Sequence, residues 1–147
     1  IRAHLQDELL TLQKELRKTI IFVSHDLDEA LKIGDRIAIM EAGRIVQQGT
    51  AEDIVLNPVN DYVRAFVAHM NPLNVLRARS FMAPLAEGTD VSGLAVATPD
   101  ALLRDVMDLR ESSGGPVLIA DGSGPAGIAG DAEIYAAILR QSGMGDA

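Results

Sequence analysis

The 147-residue sequence contains no cysteine and no tryptophan, and only 3% of its residues are aromatic. The absence of cysteine excludes disulfides, thiolate metal sites and cysteine nucleophiles. No apolar run in the sequence approaches the ~20 residues that a membrane-spanning helix needs. We therefore expect no direct membrane span, so that any role at a membrane comes through a partner protein.

Basic residues are also scarce, since the formal net charge is −8. Residues 1–72 carry 8 basic and 11 acidic side chains, and residues 73–147 carry 5 and 10. Neither part has the clustered Lys and Arg that meet the phosphates of nucleic acids, so we expect no nucleic-acid partner. A hydrophobic content of 48% is enough for a packed core, and the length allows one ordinary domain or two small ones.

The first third of the chain has the pattern of an α/β unit. Apolar residues at helical spacing predict an amphipathic helix over residues 2–17, and they are Leu5, Leu9, Leu12 and Leu16. The run Ile20 to Val23 has no polar alternation, which is typical of a strand buried on both faces of a parallel sheet. It ends abruptly on Ser24, His25 and Asp26.

Ligands of open α/β sheets bind beyond the carboxyl ends of the strands, which is where this pattern puts His25. The alternative is a histidine that only packs or caps a helix, and this stretch by itself leaves the two interpretations open. His4 and His69 are interpreted as ordinary solvated histidines. The acidic pairs Asp7-Glu8 and Asp28-Glu29 are interpreted as helix surface, because adjacent helical residues point in different directions.

Further helices and a hairpin follow. Asp26 is a candidate cap for a helix that ends at Gly34, and a hairpin is predicted from the runs DRIAIM and RIVQQG with a turn at residues 41–43. Two short helices are then expected, the first capped by Thr50 and Asp53. After a linker near residue 71 the pattern is strand, helix, strand, strand, helix. The first of these helices is expected to start at Thr98-Pro99, and the last at Asp131.

The stretch TIIFVSHDLDEALKIGDRIAIMEAGRIVQQGT, extended through AEDIVLNPVNDYVRAFV, resembles the end of the nucleotide-binding domain of an ATP-binding cassette (ABC) transporter. The resemblance covers about residues 1–68, and we assign residues 1–70, here called the first half, to this domain. It implies that His25 is the switch histidine, which contacts the γ-phosphate of ATP and helps to position the attacking water. It also implies ATP and Mg²⁺ as cofactors, transmembrane permease subunits and a second ATPase subunit as partners, and a peripheral position on the cytoplasmic face of the inner membrane.

The sequence has no G-x-x-x-x-G-K-[ST] phosphate loop, and the other phosphate and magnesium motifs of the family are likewise missing. We therefore expect a piece of a longer protein that neither binds nor hydrolyses ATP by itself and has no metal site of its own. Without the neighbouring strands of a complete sheet, we expect residues 1–48 to be rearranged, disordered or exchanged between chains. His25 would then lie outside its catalytic geometry.

Residues 71–147, here called the second half, resemble a linker followed by a small α+β cystathionine-β-synthase (CBS) domain over about residues 74–141. The resemblance rests on GLAVATPDALLRDVM, GGPVLIADGSG and GIAGDAEI, with a lead-in strand expected around VLRARSFM. It implies a regulatory domain that pairs with a second copy. Nucleotide-binding CBS domains use a Ser or Thr and, three residues on, an Asp; here Gly130 and Glu133 stand at those positions beside Asp131, so this ligand site stays one alternative and a simple helix start the other.

An ABC subunit with a single CBS tail resembles the ATPase subunits that power uptake of glycine betaine, proline and related osmoprotectants. Two alternatives stay open. The first is the ATPase subunit of an importer for another amino acid or metabolite, with the same chemistry. The second is a non-catalytic module that acts through CBS pairing or sensing.

Overall fold

The computed structural model describes residues 8, 11–13, 15 and 18–141. The described positions before residue 16 are helical, which confirms the first predicted helix there. Its stripe is described only at Leu12, which is 47% exposed. The other residues of the predicted stripe, and His4 and Asp7, lie outside the described residues.

The run Ile20 to Val23 forms no strand. Ile21 and Val23 are 88% and 89% exposed, so the prediction of a buried parallel strand is wrong for this structure. A strand needs neighbours that pair its N–H and C=O groups, and the sheets of the described part are built from other strands. The expected rearrangement of residues 1–48 therefore holds for this run.

The rest of the first half follows the predicted order. Helix α1 spans Leu27–Ile33, and strands β1 (Ile37–Glu41) and β2 (Arg44–Gly49) pair antiparallel. The hairpin forms within the chain, so the expectation of rearrangement is wrong for residues 37–48. Its turn has two residues rather than three, because Glu41 already pairs with Arg44. Ala42 and Gly43 both have positive φ, at 48° and 77°, as a two-residue turn of this hand requires.

Two capped helices complete the first half, α2 (Ala51–Leu56) and α3 (Asp61–Val67). The predicted cap of α2 is confirmed: the Thr50 hydroxyl accepts from the backbone N–H of Asp53, and the Asp53 carboxylate accepts from the backbone N–H of Thr50. The side chain of Gln47 joins β2 to the chain after α2. Its amide donates to the Asn57 carbonyl at 2.9 Å and accepts from the backbone N–H of residue 59 at 3.0 Å.

The second half contains a three-stranded sheet in the order β3-β4-β5, with β3 parallel and β5 antiparallel to the central strand. This confirms the predicted order of strand, helix, strand, strand, helix. A 3₁₀ turn and a short helix precede the sheet. The elements are the turn Pro72–Asn74, α4 (Ala78–Phe81), β3 (Ala95–Ala97), α5 (Leu103–Ser113), β4 (Val117–Asp121), β5 (Gly124–Ala129) and α6 (Asp131–Gln141).

Two boundaries of the second half differ from the prediction. The expected lead-in strand is the short helix α4, because the chain after Leu76 pairs with the 99–102 loop: the backbone N–H of Ala78 donates to Ala101 and that of Leu103 to Leu76. Thr98 and Pro99 do not start a helix. The Thr98 carbonyl accepts from the N–H of Ala101 in a turn, and α5 begins four residues after Pro99.

The buried residues form one contiguous core with members from both halves. Ile54 and Val63 are fully buried in the first half, and Leu76, Leu103 and Ile119 in the second. Helix α2 contacts α6 directly, so the first half packs against the last helix of the second half. Among the described residues, no helix is both long and apolar enough to cross a membrane.

Candidate functional site

The Ser-His-Asp stretch is held by hydrogen bonds at the start of α1. Asp26 is the N-cap, and its carboxylate accepts from the backbone N–H of Glu29 at 3.2 Å. The Ser24 hydroxyl accepts from the backbone N–H of Asp26 at 3.0 Å and donates to the Glu29 carboxylate at 2.7 Å. These contacts fix the backbone on both sides of His25, whose side chain is exposed.

The contacts at the start of α1 define the roles of His25 and Glu29. Asp26 caps the helix, and the side chain of His25 is exposed. His25 therefore neither caps the helix nor packs in the core. Glu29 belongs to the Ser24 network rather than to a plain helix surface. The sequence contained a signal for this contact, because a hydroxyl two residues before an N-cap and a carboxylate at the third helical position are within reach of each other.

The residues proposed for the CBS ligand site lie together at the start of α6. The Glu133 carboxylate accepts from the backbone N–H of Gly130 at 2.9 Å, and Asp131 pairs with Arg110 at 2.9 Å. Both carboxylates therefore have partners that stabilise the helix start and its junction with α5. A Cβ at Gly130 would lie 3.4 Å from Glu133 Oε2 and 3.8 Å from Pro116, which is ordinary contact, so the backbone there has room for a Cβ.

Three exposed carboxyl groups have a pKa below the usual range, and each lies in a local turn or cap. The largest contributions come from the backbone N–H of Thr50 for Asp53, the backbone N–H of Ser92 for Asp90 and the hydroxyl of Ser123 for Asp121. Such shifts report local structure rather than paired catalytic carboxylates. Within the described ranges, no group of three His, Asp or Glu side chains could hold a metal ion.

One polar cluster was not predicted. Glu52 on α2 is 8% exposed, and its Oε2 lies 3.4 Å from Nη2 of Arg79 on α4. Arg79 also pairs with Asp100, in the loop before α5. Sequence patterns could not find this cluster, because its members are 27 and 21 residues apart and come from both halves.

Comparison with known proteins finds ATP-binding proteins of transport systems among the similar sequences. The chain is 45% identical over 104 residues to the glycine betaine/proline betaine transport system ATP-binding protein of Escherichia coli K12, which covers 71% of this chain and 23% of that protein. It is 55% identical over 82 residues to the glycine betaine transport ATP-binding protein of Bacillus subtilis 168, covering 56% of this chain and 20% of that protein. No protein-family model matches the chain.

A longer match has lower identity. The glycine betaine/carnitine/choline transport ATP-binding protein of Bacillus subtilis 168 is 35% identical over 120 residues, or 82% of this chain and 31% of that protein. A match of that length leaves at most 27 residues outside it and so includes parts of both halves. The chain thus spans about a fifth to a third of the length of these relatives. The resemblance to ATP-binding subunits of glycine betaine transport systems is confirmed, while the CBS resemblance stays a prediction.

Proposed function

We infer that this chain, a homologue of the ATP-binding subunits of glycine betaine and proline betaine transport systems, is the part of such a subunit that supplies the switch histidine. The observation that carries this inference is the exposed His25, fixed between Ser24 and Asp26 in a chain up to 55% identical to those subunits. The full-length subunit would hydrolyse ATP to power the import of an osmoprotectant, with the second half as its regulatory domain.

The chemistry assigned to His25 is limited to one contact. An imidazole N–H donates to a γ-phosphate oxygen, and the ring helps to orient the attacking water; phosphoryl transfer is catalysed mainly by such positioning and electrostatic stabilisation. One neutral hydrogen bond contributes only ~0.5–1.5 kcal/mol net, which is too little to bind ATP. We therefore propose that Mg²⁺ and the remaining phosphate contacts come from other parts of the full-length subunit.

The exposed run Ile20 to Val23 supports the same proposal. Four consecutive large apolar side chains are at least 41% exposed here, and their backbone belongs to neither sheet of the described part of the chain. In the full-length subunit this run would be a central parallel strand that aims His25 at the nucleotide. Since the matched relatives are three to five times as long as the matched region, they contain enough further sequence for such a sheet.

The test compares variants of the full-length subunit. We expect His25→Ala to lower kcat for ATP hydrolysis at least ~100-fold, the lower range for a positioned proton-transfer group, while ATP affinity changes less than ~10-fold. His69→Ala is the matched control, because His69 is exposed and lies outside the motif. A His25→Ala subunit that keeps half of its activity would refute the assignment. We also expect the 147-residue chain alone to release no phosphate from ATP.

A non-catalytic pairing function is the second candidate, favoured by the outer face of the three-stranded sheet. Val96, Leu118 and Ile128 lie in one row across its strands; Val96 is 56% exposed, Ile128 is partly exposed, and Leu118 is already buried at 7%. We propose that a second CBS-like half covers the exposed end of this row at Val96.

Sedimentation of the complete 147-residue chain tests this pairing. We expect concentration-dependent dimers that Val96→Glu abolishes, because a carboxylate would be desolvated in the interface. Val59→Glu is the control, since Val59 is similarly exposed, at 60%, but lies in the first half. Dimers that survive Val96→Glu, or a monomer at all concentrations, would contradict the proposal.

The remaining assignments follow from the proposed identity. The full-length subunit would associate with transmembrane permease subunits and a second ATPase subunit on the cytoplasmic face of the inner membrane. Glycine betaine or proline is the solute we propose, and transport by the assembled importer distinguishes it from another amino acid or metabolite. A CBS ligand at Gly130, Asp131 and Glu133 would have to compete with the cap that Glu133 makes. Titration with ATP or AMP of the chain and of Gly130→Thr tests that site.

A further inference from the structure

Glu52 is a buried carboxylate with few partners. It is the second residue of α2 and is 8% exposed, at the place where α2 faces the second half. Its Oε2 lies 3.4 Å from Arg79, which is long for a charge-assisted hydrogen bond. Its Oε1 is buried and has no hydrogen-bond partner in the described part of the chain. Burial of this charge is therefore only partly compensated.

Arg79 is anchored firmly on the other side. Its backbone N–H donates to Pro99 at 3.0 Å, and its Nη1 pairs with the Asp100 carboxylate. The neighbouring Arg77 donates to the Asp100 carbonyl at 2.8 Å. Arg79 thus belongs to the second half through several contacts and reaches the first half through one, the 3.4 Å contact with Glu52.

Helix α2 connects the Glu52–Arg79 contact to other elements of both halves. It begins directly after β2 and also contacts α6, the helix whose start holds the candidate ligand residues of the second half. A contact that is only partly compensated is easier to break than the apolar core around it. Because Ile54 and Val55 hold the rest of α2 in that core, only the first turn of α2, which carries Glu52, can shift when the Arg79 contact breaks.

We propose that the Glu52–Arg79 ion pair is a latch that holds the first turn of α2 against α4 of the second half, and that its release lets this turn and the hairpin before it move while the shared core stays packed. Through this latch a change in the second half alters the position of α2 and the hairpin before it. The latch stands on the geometry alone; its role in controlling ATP hydrolysis rests on the proposed function.

The complete chain allows a direct test, because it has no cysteine and accepts two spin labels without further changes. Gln48→Cys in β2 and Glu111→Cys in α5 place labels on exposed residues in the two halves. We expect a narrow distance distribution by electron–electron double resonance, and a second population or marked broadening in Arg79→Gln. Arg64→Gln, which breaks the exposed pair with Asp61, is the control and leaves the distribution unchanged.

Hydrogen exchange of the α2 amides separates loss of the ion pair from loss of packing. We expect Arg79→Gln to speed exchange at Ile54 and Val55 about tenfold or more, because the buried Glu52 charge loses its partner. The double variant with Glu52→Gln, which removes that charge and keeps the shape, returns exchange to within about threefold of wild type. If Arg79→Gln does not fold, Glu52→Gln alone still reports whether the first turn of α2 moves when the ion pair is lost.

Two results would overturn the latch. One is an unchanged distance distribution and unchanged exchange in Arg79→Gln. The other is a double variant as perturbed as Arg79→Gln, which would mean that Arg79 acts through packing alone. Both measurements use the 147-residue chain without ATP, so a failure of the proposed ATPase function leaves them interpretable. In the full-length subunit, Arg79→Gln is expected to change kcat without changing ATP affinity, whereas His25→Ala is expected to lower kcat at least ~100-fold.

Discussion

Replacing Gly127 by alanine tests how closely β5 packs against the backbone at Ala83. A Cβ at this position in β5 would lie 2.6 Å from the Ala83 carbonyl oxygen and 2.9 Å from the sulfur of Met82. The methionine can move, but the carbonyl cannot, because Ala83 exchanges two backbone hydrogen bonds of 2.9 Å each with Ile128. The close approach of two backbones, rather than an unusual φ angle, therefore requires glycine here.

Gly127→Ala has two ways to accommodate the extra carbon. Opening the Ala83–Ile128 bridge loses two hydrogen bonds, each contributing about 0.5–1.5 kcal/mol net. Keeping the bridge strains the neighbours, and overpacking of this size costs about 1–3 kcal/mol. Because the protein adopts the cheaper route, we expect the free energy of unfolding to fall by about 1–3 kcal/mol.

Urea unfolding followed by circular dichroism measures this loss, with Gly122→Ala as the matched control. No heavy atom lies within 4 Å of a Cβ at Gly122, so that substitution should change stability by less than about 0.5 kcal/mol. Both variants lose the same backbone freedom in the unfolded chain, so the difference between them isolates the close contact. Equal midpoints for the two variants would refute the reasoning.

Three further predictions concern the first half. The Thr50 N–H lowers the pKa of Asp53, so the stability from this cap is present above about pH 4 and is lost as pH falls through the folded pKa. Asp53→Asn should therefore weaken the dependence of the melting temperature on pH between about pH 2 and 5, and an unchanged dependence would contradict this. Gln47→Glu removes the donor to the exposed Asn57 carbonyl and should cost about 0.5–1.5 kcal/mol in urea unfolding, whereas Gln48→Glu, exposed on the same strand, should cost less than about 0.5 kcal/mol. Ala42→Asn should raise stability by about 0.5–1 kcal/mol because asparagine tolerates the positive φ of the turn; a loss of stability in the same assay would show that the turn is not strained.

Local patterns predicted most elements of both halves. The capping pairs at Asp26 and Thr50, the β-rich runs of the hairpin, and the order of elements after residue 93 depend on neighbours within a few residues, and the structure contains them. Errors occurred where distant residues compete for the backbone. The chain after Leu76 forms α4 instead of a lead-in strand because it bonds to the 99–102 loop, which no local pattern encodes.

The run Ile20 to Val23 shows that an apolar pattern predicts a buried strand only if neighbouring strands are present. Its apolar composition predicts burial between parallel strands, yet composition cannot supply the strands, and in this structure the run is exposed. His25 was singled out from the motif alone, and the structure adds that its backbone is fixed by Ser24 and Asp26. The role of His25 in catalysis stays a prediction for the full-length subunit.

The sequence by itself determined the local structure and the homology of the chain, because caps, turns and motifs depend on a few neighbouring residues and can be recognised in the sequence. Tertiary structure alone decided which distant groups meet. It joined both halves in one core, brought the Ala83 carbonyl against Gly127, and placed Glu52 beside Arg79 with one oxygen unpaired. The physical reason is that burial and charge pairing depend on the positions of groups in space. Local sequence patterns do not predict which residues that are far apart in the chain will be in contact.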